Sequence, residues 1–438
     1  MKLDALAAWQ DRLVEGGALP CALTLVGHKG GAAFLHGSGW RDPAARVPLQ
    51  ADDVFRLYSM TKPITSVALM LLYEEGLFHL NDPVHLFLGE RWKARNMVVF
   101  DRWRDGERGR KALDYSTRAC EVDITVRHLL THTAGLSYGF DASGRDICVD
   151  PVYGASLMRT SQEAAPALAA DDVSMLRAFC DSLAGLPLWF QPGSHWNYSH
   201  ATDVCGRLIE VLSGQPLDRF LRERVFEPLG MRDTGFEVPA QDEVRFVRNH
   251  RYLPPAAPTA GVDAGNALQF PHVGGYEDID ARSRAAYLDM SRPKFLSGGG
   301  GLVGTIQDYA AFCAMLLNGG RSRSGERVIG RRTLEFMTRN HLPDGKGMLE
   351  LAKPATQYSE TAKNGGSFGL GFARVESPER TGYMGSVGNL AWGGAAATIF
   401  WCDPVEDLYV VFFSQVVGMQ PANMLRAKLA SFVYAALD

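Results

Sequence analysis

The sequence predicts a mixed α/β protein, in which an antiparallel sheet flanked by helices is interrupted by a mainly helical insertion. Strand patterns occur near both ends of the chain, whereas the middle is dominated by helix patterns separated by loops rich in glycine and proline. The 438 residues, 46% of them hydrophobic and 21% charged, can bury a large core. We therefore expect residues 1–58 and 290–438 to form one discontinuous sheet domain, with residues 59–289 as a mainly helical domain.

The N-terminal region predicts a helix followed by a β-hairpin. An amphipathic pattern runs to about Gly16, and two strand patterns, 21–26 and 32–37, flank a turn at 28–31. A further short strand is expected at 53–57. From Ser59 the pattern becomes that of a largely buried helix that stops near Gly76.

The middle and the C-terminal region continue with helices and end in a second hairpin. The segment 252–261, with three prolines, predicts an irregular connection, and Thr305 can cap the helix that follows it. The remaining predicted elements are helices at 126–132, 174–183, 201–212 and 217–226, a close-packed strand at 298–303, hairpin strands at 395–401 and 408–414, and a last helix at 421–436.

Composition and charge exclude several classes of function. The formal net charge is -4, from 45 basic and 49 acidic side chains, and no block of like charge is present that would bind nucleic acid or acidic lipid. The seven cysteines are odd in number and contain no CxxC pair, which favours free thiols in a reducing compartment over disulfides or zinc. The N-terminus lacks the pattern of a secretion signal, and no run reaches the roughly 18 apolar residues of a membrane span. We expect a cytoplasmic protein that is not bound to membranes, and the oligomeric state cannot be read from the sequence.

The segment Ser59-Met60-Thr61-Lys62 combines a nucleophile and a base at the start of a buried helix. The spacing i, i+3 puts the Ser59 hydroxyl and the Lys62 amine on one helical face. Serine needs a neighbouring base to act as a nucleophile, and lysine can be that base only when burial keeps it neutral. Because SxxK also occurs by chance, the four residues alone leave open a simple helix start with a solvated lysine.

A series of further motifs resembles family VIII carboxylesterases, relatives of class C β-lactamases and DD-peptidases. LYSMTKPIT at 57–65 resembles their nucleophile motif, and LLTHTAGL at 129–136 is similar to the segment that follows it in the superfamily. WNYSH at 196–200, preceded by QPG at 191–193, resembles the second catalytic motif. The glycine-rich stretch 298–305 with Asp308 precedes WGG at 392–394, which falls where the third motif is expected. The matches keep their order over about residues 50–400, and they imply a β-lactamase/DD-peptidase-like fold with its active site between the two domains.

The resemblance implies a role for each motif. Ser59 is the implied nucleophile, Lys62 its base, and Tyr198 the phenol that relays the proton. The backbone amides of Ser59 and Ala395 are the implied oxyanion hole, which would stabilise a tetrahedral intermediate. No metal and no cofactor is implied, and the expected partner is a small-molecule ester.

Two departures from the β-lactamase pattern bear on the substrate. His200 replaces the asparagine of the second motif, and Trp392 stands before Gly393-Gly394 where β-lactamases have Lys or His. The cation that binds a penicillin carboxylate is therefore missing, which favours uncharged esters. We expect Trp392, Gly393, Gly394 and His200 to contact the substrate, and short-chain carboxylic esters to be hydrolysed through an acyl-Ser59 intermediate.

Other interpretations of single motifs remain. Residues 135–139 match GxSxG and would make Ser137 a nucleophile, but that motif needs a preceding strand and a following helix, so a loop serine is expected. His128 and His132 have metal-ligand spacing, yet core or capping histidines are expected in the absence of HExxH. Aromatic residues ahead of the second motif could line an acyl pocket or belong to the core: Trp189, Phe190 and Trp196.

Three alternatives concern the function as a whole. An acyltransferase would share the acyl-serine intermediate and differ only in its second nucleophile. A weak β-lactamase on the same scaffold is a second alternative. A catalytically silent penicillin-recognition module is the third, and the presence of all three catalytic side chains argues against it.

Overall fold

In the part of the chain that the structure describes, the strands form one large sheet and three small ones. The structure is a computed structural model that describes residues 2–157, 174–253, 275–288, 294–352, 364–418 and 422–437. The strands in this part of the chain are β1 (Cys21–His28), β2 (Gly31–Asp42), β3 (Val47–Pro48), β4 (Phe55–Arg56), β5 (Val98–Trp103), β6 (Tyr115–Ala119), β7 (His250–Tyr252), β8 (Tyr276–Asp278), β9 (Val303–Gly304), β10 (Gly366–Phe368), β11 (Ala373–Val375), β12 (Leu390–Gly394), β13 (Thr398–Asp403), β14 (Leu408–Phe413) and β15 (Val416–Val417). The large sheet has the antiparallel order β10-β11-β12-β13-β14-β1-β2-β3. As predicted, strands from both ends of the chain share it, because β1 pairs with β14 through registers such as Leu23 with Phe413.

Helices lie on both faces of this sheet. Most of them come, in chain order, between the N-terminal strands and the C-terminal strands of the sheet. In the described residues they are α1 (Asp4–Glu15), α2 (Thr61–Glu74), α3 (His85–Leu88), α4 (Gly106–Ala112), α5 (Val126–Leu130), α6 (150–157), α7 (Met175–Ala184), α8 (Ala201–Ser213), α9 (Leu217–Leu221), α10 (Glu227–Leu229), α11 (Asp280–Leu288), α12 (Ile306–Leu317), α13 (Arg331–Met337), α14 (Met348–Leu351), α15 (Pro378–Thr381) and α16 (Ala422–Tyr434). Of these, α2 is the most deeply placed, since every residue from 61 to 72 is buried. A helix apolar on all sides is stable only when surrounded by protein, so α2 forms the axis of the helical region.

The two faces of the large sheet bury different partners. In β14, Tyr409, Val411 and Phe413 pack in the main core with residues of α12, whereas the alternate residues Leu408, Val410 and Phe412 pack in a second core with α1 and α16. Successive side chains of a strand point to opposite faces, so the run 408–413 supplies both cores. A buried arginine of α16, Arg426, donates hydrogen bonds to the backbone oxygens of Trp392 (2.8 Å) and Phe400 (2.9 Å), which ties this helix to β12 and β13.

Most predicted elements are confirmed, with two corrections. Residues 298–300 form a turn instead of the expected strand, and the strand covers only Val303–Gly304, which pairs with Phe55–Arg56. Residues 395–397 are a turn between β12 and β13, so the expected strand at 395–401 begins at Thr398. Consecutive small residues carry little information about backbone direction, which explains both errors.

Three further expectations concern the chain as a whole. The predicted irregular connection at 252–261 lies mostly outside the described residues. The domain limits 1–58, 59–289 and 290–438 stay a prediction. Within the described residues, no helix combines the length and the apolar character needed to cross a membrane.

Candidate active site

Ser59 lies in a tight turn between β4 and α2. The turn is a 3₁₀ helix of residues Tyr58–Met60, and the α-helix begins only at Thr61, two residues later than the sequence suggests. Tyr58 has a φ of 47°, an uncommon value for a residue with a side chain. Its hydroxyl accepts a hydrogen bond of 2.7 Å from Asn249 Nδ2. The residue before the candidate nucleophile is therefore in a strained conformation that is held from a distant loop.

Lys62 is the buried partner of Ser59. Its Nζ lies 3.2 Å from Ser59 Oγ and donates a hydrogen bond of 2.5 Å to the backbone oxygen of Gly299. Only 2% of the residue is exposed. Burial lowers the pKa of Lys62 to about 7, and the negative charge of Asp203 opposes that fall. A large fraction of Lys62 is therefore neutral near neutral pH, as a general base requires.

Tyr198 lies on the other side of the lysine. Lys62 Nζ is 4.6 Å from the centroid of the Tyr198 ring and 5.2 Å from that of Tyr138. The ring centroids of these two tyrosines are 5.0 Å apart, and burial, together with the neighbouring Tyr198 and Asp203, holds the pKa of Tyr138 well above its usual range. Burial and the charge of Lys62 hold the pKa of the adjacent His132 well below its usual range, so this histidine adds no positive charge to the site.

The end of β12 lies beside the turn that carries Ser59. A Cβ atom added to Gly394 would lie 2.5 Å from the backbone oxygen of Leu57, so only glycine allows this approach. Ala395 follows as an exposed residue at the start of the turn. Trp392 is buried, with its ring centroid 5.2 Å from that of Tyr198. The structure thus brings the third motif to the nucleophile and its two partners.

His200 makes contacts that its place in the motif does not suggest. Its Nδ1 lies 2.8 Å from a carboxylate oxygen of Asp203, and its ring lies 4.2 Å from that of Tyr138, centroid to centroid. The side chain of Asp203 is only 2% exposed, whereas that of His200 is 16% exposed. His200 is therefore oriented by a buried carboxylate and is open to the site on one side.

Sequence reasoning missed Tyr138 and Asp203. Asp203 lies on α8 between the buried residues Thr202 and Val204. An acidic residue on the buried face of an otherwise amphipathic helix is the signal that could have identified it, because an isolated buried carboxylate is costly. Tyr138 gives no comparable signal, because it lies in a loop.

The competing nucleophile Ser137 is a buried loop residue, as expected. It donates to Asp150 and accepts a hydrogen bond of 3.1 Å from Asn197. No strand-turn-helix surrounds it, since α5 precedes and a loop follows. Ser137 therefore helps to hold the second motif in place.

The two histidines with metal-ligand spacing also have structural surroundings. His128 accepts a hydrogen bond of 3.2 Å from the backbone of Thr125 and completes the cap of α5. Burial lowers its pKa to about 4. His132 lies beyond the helix end and contacts Ser199 at 3.2 Å. Across the described ranges, no group of three or more His, Cys, Asp or Glu is placed to hold a metal ion.

The aromatic residues ahead of the second motif belong to the core. They are buried within the main hydrophobic cluster: Trp189, Phe190 and Trp196. The ring of Trp196 still approaches the site, since its centroid is 6.2 Å from that of His132. Their burial supports a place in the core over the alternative of an acyl pocket.

Known proteins share this sequence and this fold. The model of the family described as Beta-lactamase matches residues 6–433. Protein Rv1367c of Mycobacterium tuberculosis (strain ATCC 25618 / H37Rv) is 31% identical over 418 residues, covering 95% of this chain and 90% of that protein. Esterase EstB of Burkholderia gladioli is 28% identical over 442 residues, with 99% and 95% covered. The solved structure of EstCE1, described as a hydrolase with promiscuous acyltransferase activity, has a TM-score of 0.70 at 23% identity and covers 99% of this chain and 98% of that one. EstCE1 and the chain have the same fold.

Proposed function

The chain belongs to the beta-lactamase family, and we propose that it is a serine carboxylesterase that hydrolyses short-chain carboxylic esters through an acyl-Ser59 intermediate. One observation carries the proposal: Lys62 Nζ lies 3.2 Å from Ser59 Oγ in a place where burial brings the pKa of the lysine to about 7. A neutral amine within hydrogen-bond reach can accept the serine proton. The likeness to Esterase EstB over nearly the whole of both chains supports an ester as the substrate.

The first half of the proposed reaction acylates Ser59. As Ser59 Oγ attacks the ester carbonyl, its proton passes to Lys62 Nζ. The backbone amides of Ser59 and Ala395 are the proposed oxyanion hole, a role that the close contact of Gly394 with Leu57 supports by bringing β12 to the nucleophile. When the tetrahedral intermediate collapses, the proton passes through the Tyr198 phenol to the departing alcohol.

The second half releases the acid. Water enters where the alcohol left, gives a proton to the same Lys62 and Tyr198 pair, and attacks the acyl carbonyl. Ser59 leaves with a proton returned by that pair. An acceptor alcohol could replace the water, so acyl transfer is the second candidate function. EstCE1, which is described with both activities, has the same fold.

The surroundings of the site support an uncharged substrate. Trp392 presents an apolar ring next to Tyr198, which suits an alkyl or aryl group better than a carboxylate. The arginine-rich segment 321–332 is engaged elsewhere: Arg327 pairs with Glu74 at 3.2 Å and Arg323 donates to Tyr409 at 2.7 Å. Glu74 ends α2, so this pair lies a helix length away from Ser59, about 20 Å for 14 residues.

Labelling with a fluorophosphonate tests the proposal. The intact protein is expected to gain the mass of one phosphonyl group, and Ser59→Ala to gain none and to lose ester turnover. Ser137→Ala is the matched control, because it removes a second serine near the site and should still be labelled. If Ser59→Ala were labelled and Ser137→Ala were not, the assignment of the nucleophile would be overturned. An unlabelled wild type would favour the catalytically silent module.

A substrate panel on one preparation then separates the remaining alternatives. We expect cleavage of p-nitrophenyl acetate and butyrate, and turnover of a chromogenic cephalosporin lower by about 1000-fold or more, equal to roughly 4 kcal/mol of transition-state binding. A cephalosporin within tenfold of the butyrate ester would make the protein a β-lactamase. Ester product formed only when an acceptor alcohol is added would make it an acyltransferase.

We also propose a cytoplasmic location. Six of the seven cysteines are buried and the sequence contains no CxxC pair, which supports a protein that folds in a reducing compartment.

A further inference from the structure

A turn of glycines joins the two helices that carry the site. Gly298 lies next to α8, and its oxygen accepts a hydrogen bond of 2.8 Å from Thr65 of α2. The oxygen of Gly299 accepts from Lys62 at 2.5 Å. Leu302 N donates to Thr61 at 3.2 Å. The turn therefore fixes the first two helical turns of α2, where the candidate base lies.

Asp203 holds this turn from the opposite side. Its Oδ1 accepts hydrogen bonds from Ser297 Oγ at 2.6 Å and from Gly299 N at 3.0 Å. Its Oδ2 lies 2.8 Å from His200 Nδ1. The peptide groups of Gly299 thus have Asp203 on the amide side and Lys62 on the carbonyl side. A single residue of the turn connects the buried acid to the buried base.

The turn packs closely against α8. A Cβ on Gly299 would lie 2.9 Å from Asp203 Oδ2, and a Cβ on Gly298 would lie 2.7 Å from the backbone oxygen of Thr202. Real side chains essentially never make such contacts. The glycines are therefore required for the approach of α8, and hence for the contact of Asp203 with the turn.

We infer that Asp203 is a positioning residue for the reaction: through Gly299 it holds Lys62 against Ser59, and its buried negative charge acts on the lysine. This inference rests on the proposed role of Lys62 as the base. Asp203 acts on Lys62 across the Gly299 peptide groups, because its carboxylate accepts from Gly299 N while Lys62 donates to Gly299 O.

The charges around Lys62 predict the direction in which its pKa changes when Asp203 loses its charge. The groups that face it are Ser59, Tyr138 and Tyr198, the neutral His132, and the carboxylate of Asp203. Burial raises the pKa of Asp203, but the hydrogen bonds from His200 and Ser297 and the charge of Lys62 together bring it below its usual value. Asp203 is therefore ionised, and its charge raises the pKa of Lys62 against the effect of burial. Without that charge, Lys62 would lose its proton at a lower pH.

The experiment is the pH dependence of fluorophosphonate labelling in Asp203→Asn. The amide keeps the shape of the side chain and can still accept from Ser297 and Gly299, but it removes the charge. The second-order labelling rate rises with pH as Lys62 becomes neutral, and we expect the midpoint of that rise to fall by at least about 0.5 pH unit. An unmoved midpoint with a lower plateau rate would mean that Asp203 is only structural, and would overturn the inference.

Ser297→Ala is the matched control, because it removes one hydrogen bond to Asp203 and keeps the charge. Its midpoint should stay at the wild-type value. Gly299→Ala supplies a test if Asp203→Asn does not fold: the added methyl displaces the carboxylate without removing its charge, so the rate should fall by about tenfold or more with the midpoint unchanged. Wild-type labelling rates in Gly299→Ala would also overturn the inference. Failure of the proposed function is distinguishable, since the wild type would then not be labelled at all.

Discussion

Two buried basic side chains, Arg56 and Lys62, lie three residues before and three residues after Ser59, and their surroundings differ. Arg56 is fully buried and its Nη2 lies 2.5 Å from Asp280 Oδ1. Its guanidinium is 4.1 Å from the centroid of the Phe246 ring, and Nη1 donates to the backbone oxygen of Val247 at 2.9 Å. The charge of Arg56 is thus met by a carboxylate, a backbone oxygen and an aromatic face. Arg56 is therefore a fixed charge that anchors β4.

Lys62 is also buried, and within the described part of the chain the oxygens at hydrogen-bond distance from its Nζ are neutral. They are those of Ser59 and Gly299, and the carboxylate of Asp203 acts across the Gly299 peptide. Burial of a charge is costly unless a counter-ion meets it directly, and burial accordingly lowers the pKa of Lys62. The comparison teaches that the chemistry of the side chain and a direct carboxylate contact, in addition to burial, distinguish the anchor from the base.

Removing the proton-transfer pair should have the largest effect. We expect Lys62→Ala and Tyr198→Phe each to lower kcat/KM for p-nitrophenyl butyrate by several orders of magnitude. The double variant should be hardly worse than the worse single, because residues that act as a unit are not additive. Near-wild-type thermal unfolding is the control for each variant. Losses that multiply in the double variant would show two independent roles.

Removing the counter-ion of the anchor should affect stability instead. Asp280→Asn leaves the buried Arg56 without its carboxylate, and we expect the free energy of unfolding in urea to fall by about 3 to 5 kcal/mol. The midpoint of the pH profile should not move. Glu223→Gln, which breaks an exposed pair with Arg219, is the matched control and should leave stability unchanged. A shift in the pH midpoint of kcat/KM in Asp280→Asn would show that the surroundings of Arg56 influence Lys62.

The pH dependence of the wild type should give the smallest effect. Because the neutral form of Lys62 is the active one, kcat/KM should rise with pH, pass its midpoint near the lysine pKa of about 7, and level off above it. Well below the midpoint it should fall about tenfold per pH unit. A profile that is flat between pH 6 and 8 would contradict a lysine base with the pKa that burial imposes.

The parts of the fold and site that depend on local pattern could be predicted from the sequence. Two strand patterns flank the turn at 28–31 and predict the hairpin of β1 and β2, and the residues LYSMTK place Ser59 and Lys62 three positions apart on one helical face. The cap at Thr305 is another local signal, confirmed by a hydrogen bond of 3.2 Å from Asp308 N. In each case the residues that interact are neighbours in sequence.

Contacts between distant segments that no recognisable motif marks could not be predicted. Gly299 N donates a hydrogen bond to Asp203 from a distant part of the chain, and no sequence pattern in either segment indicates the other as its partner. The glycines at 298–301 suggest close packing, but without knowledge of α8 a strand is as reasonable as a turn. Asn249 donates a hydrogen bond to Tyr58, and the sequence around this loop residue likewise gives no sign of that contact.

The pairing of β1 with β14 has a consequence for how the chain is made. β1 and the Ser59 turn leave the ribosome early, but the strand that completes the sheet follows only after nearly all of the remaining chain. At about 5–20 residues per second, the apolar edge of β1 waits on the order of tens of seconds for its partner. During that time it can pair with another nascent chain, as unprotected strand edges do. A supply of chaperones during synthesis should therefore raise the soluble yield more than any change to the finished surface.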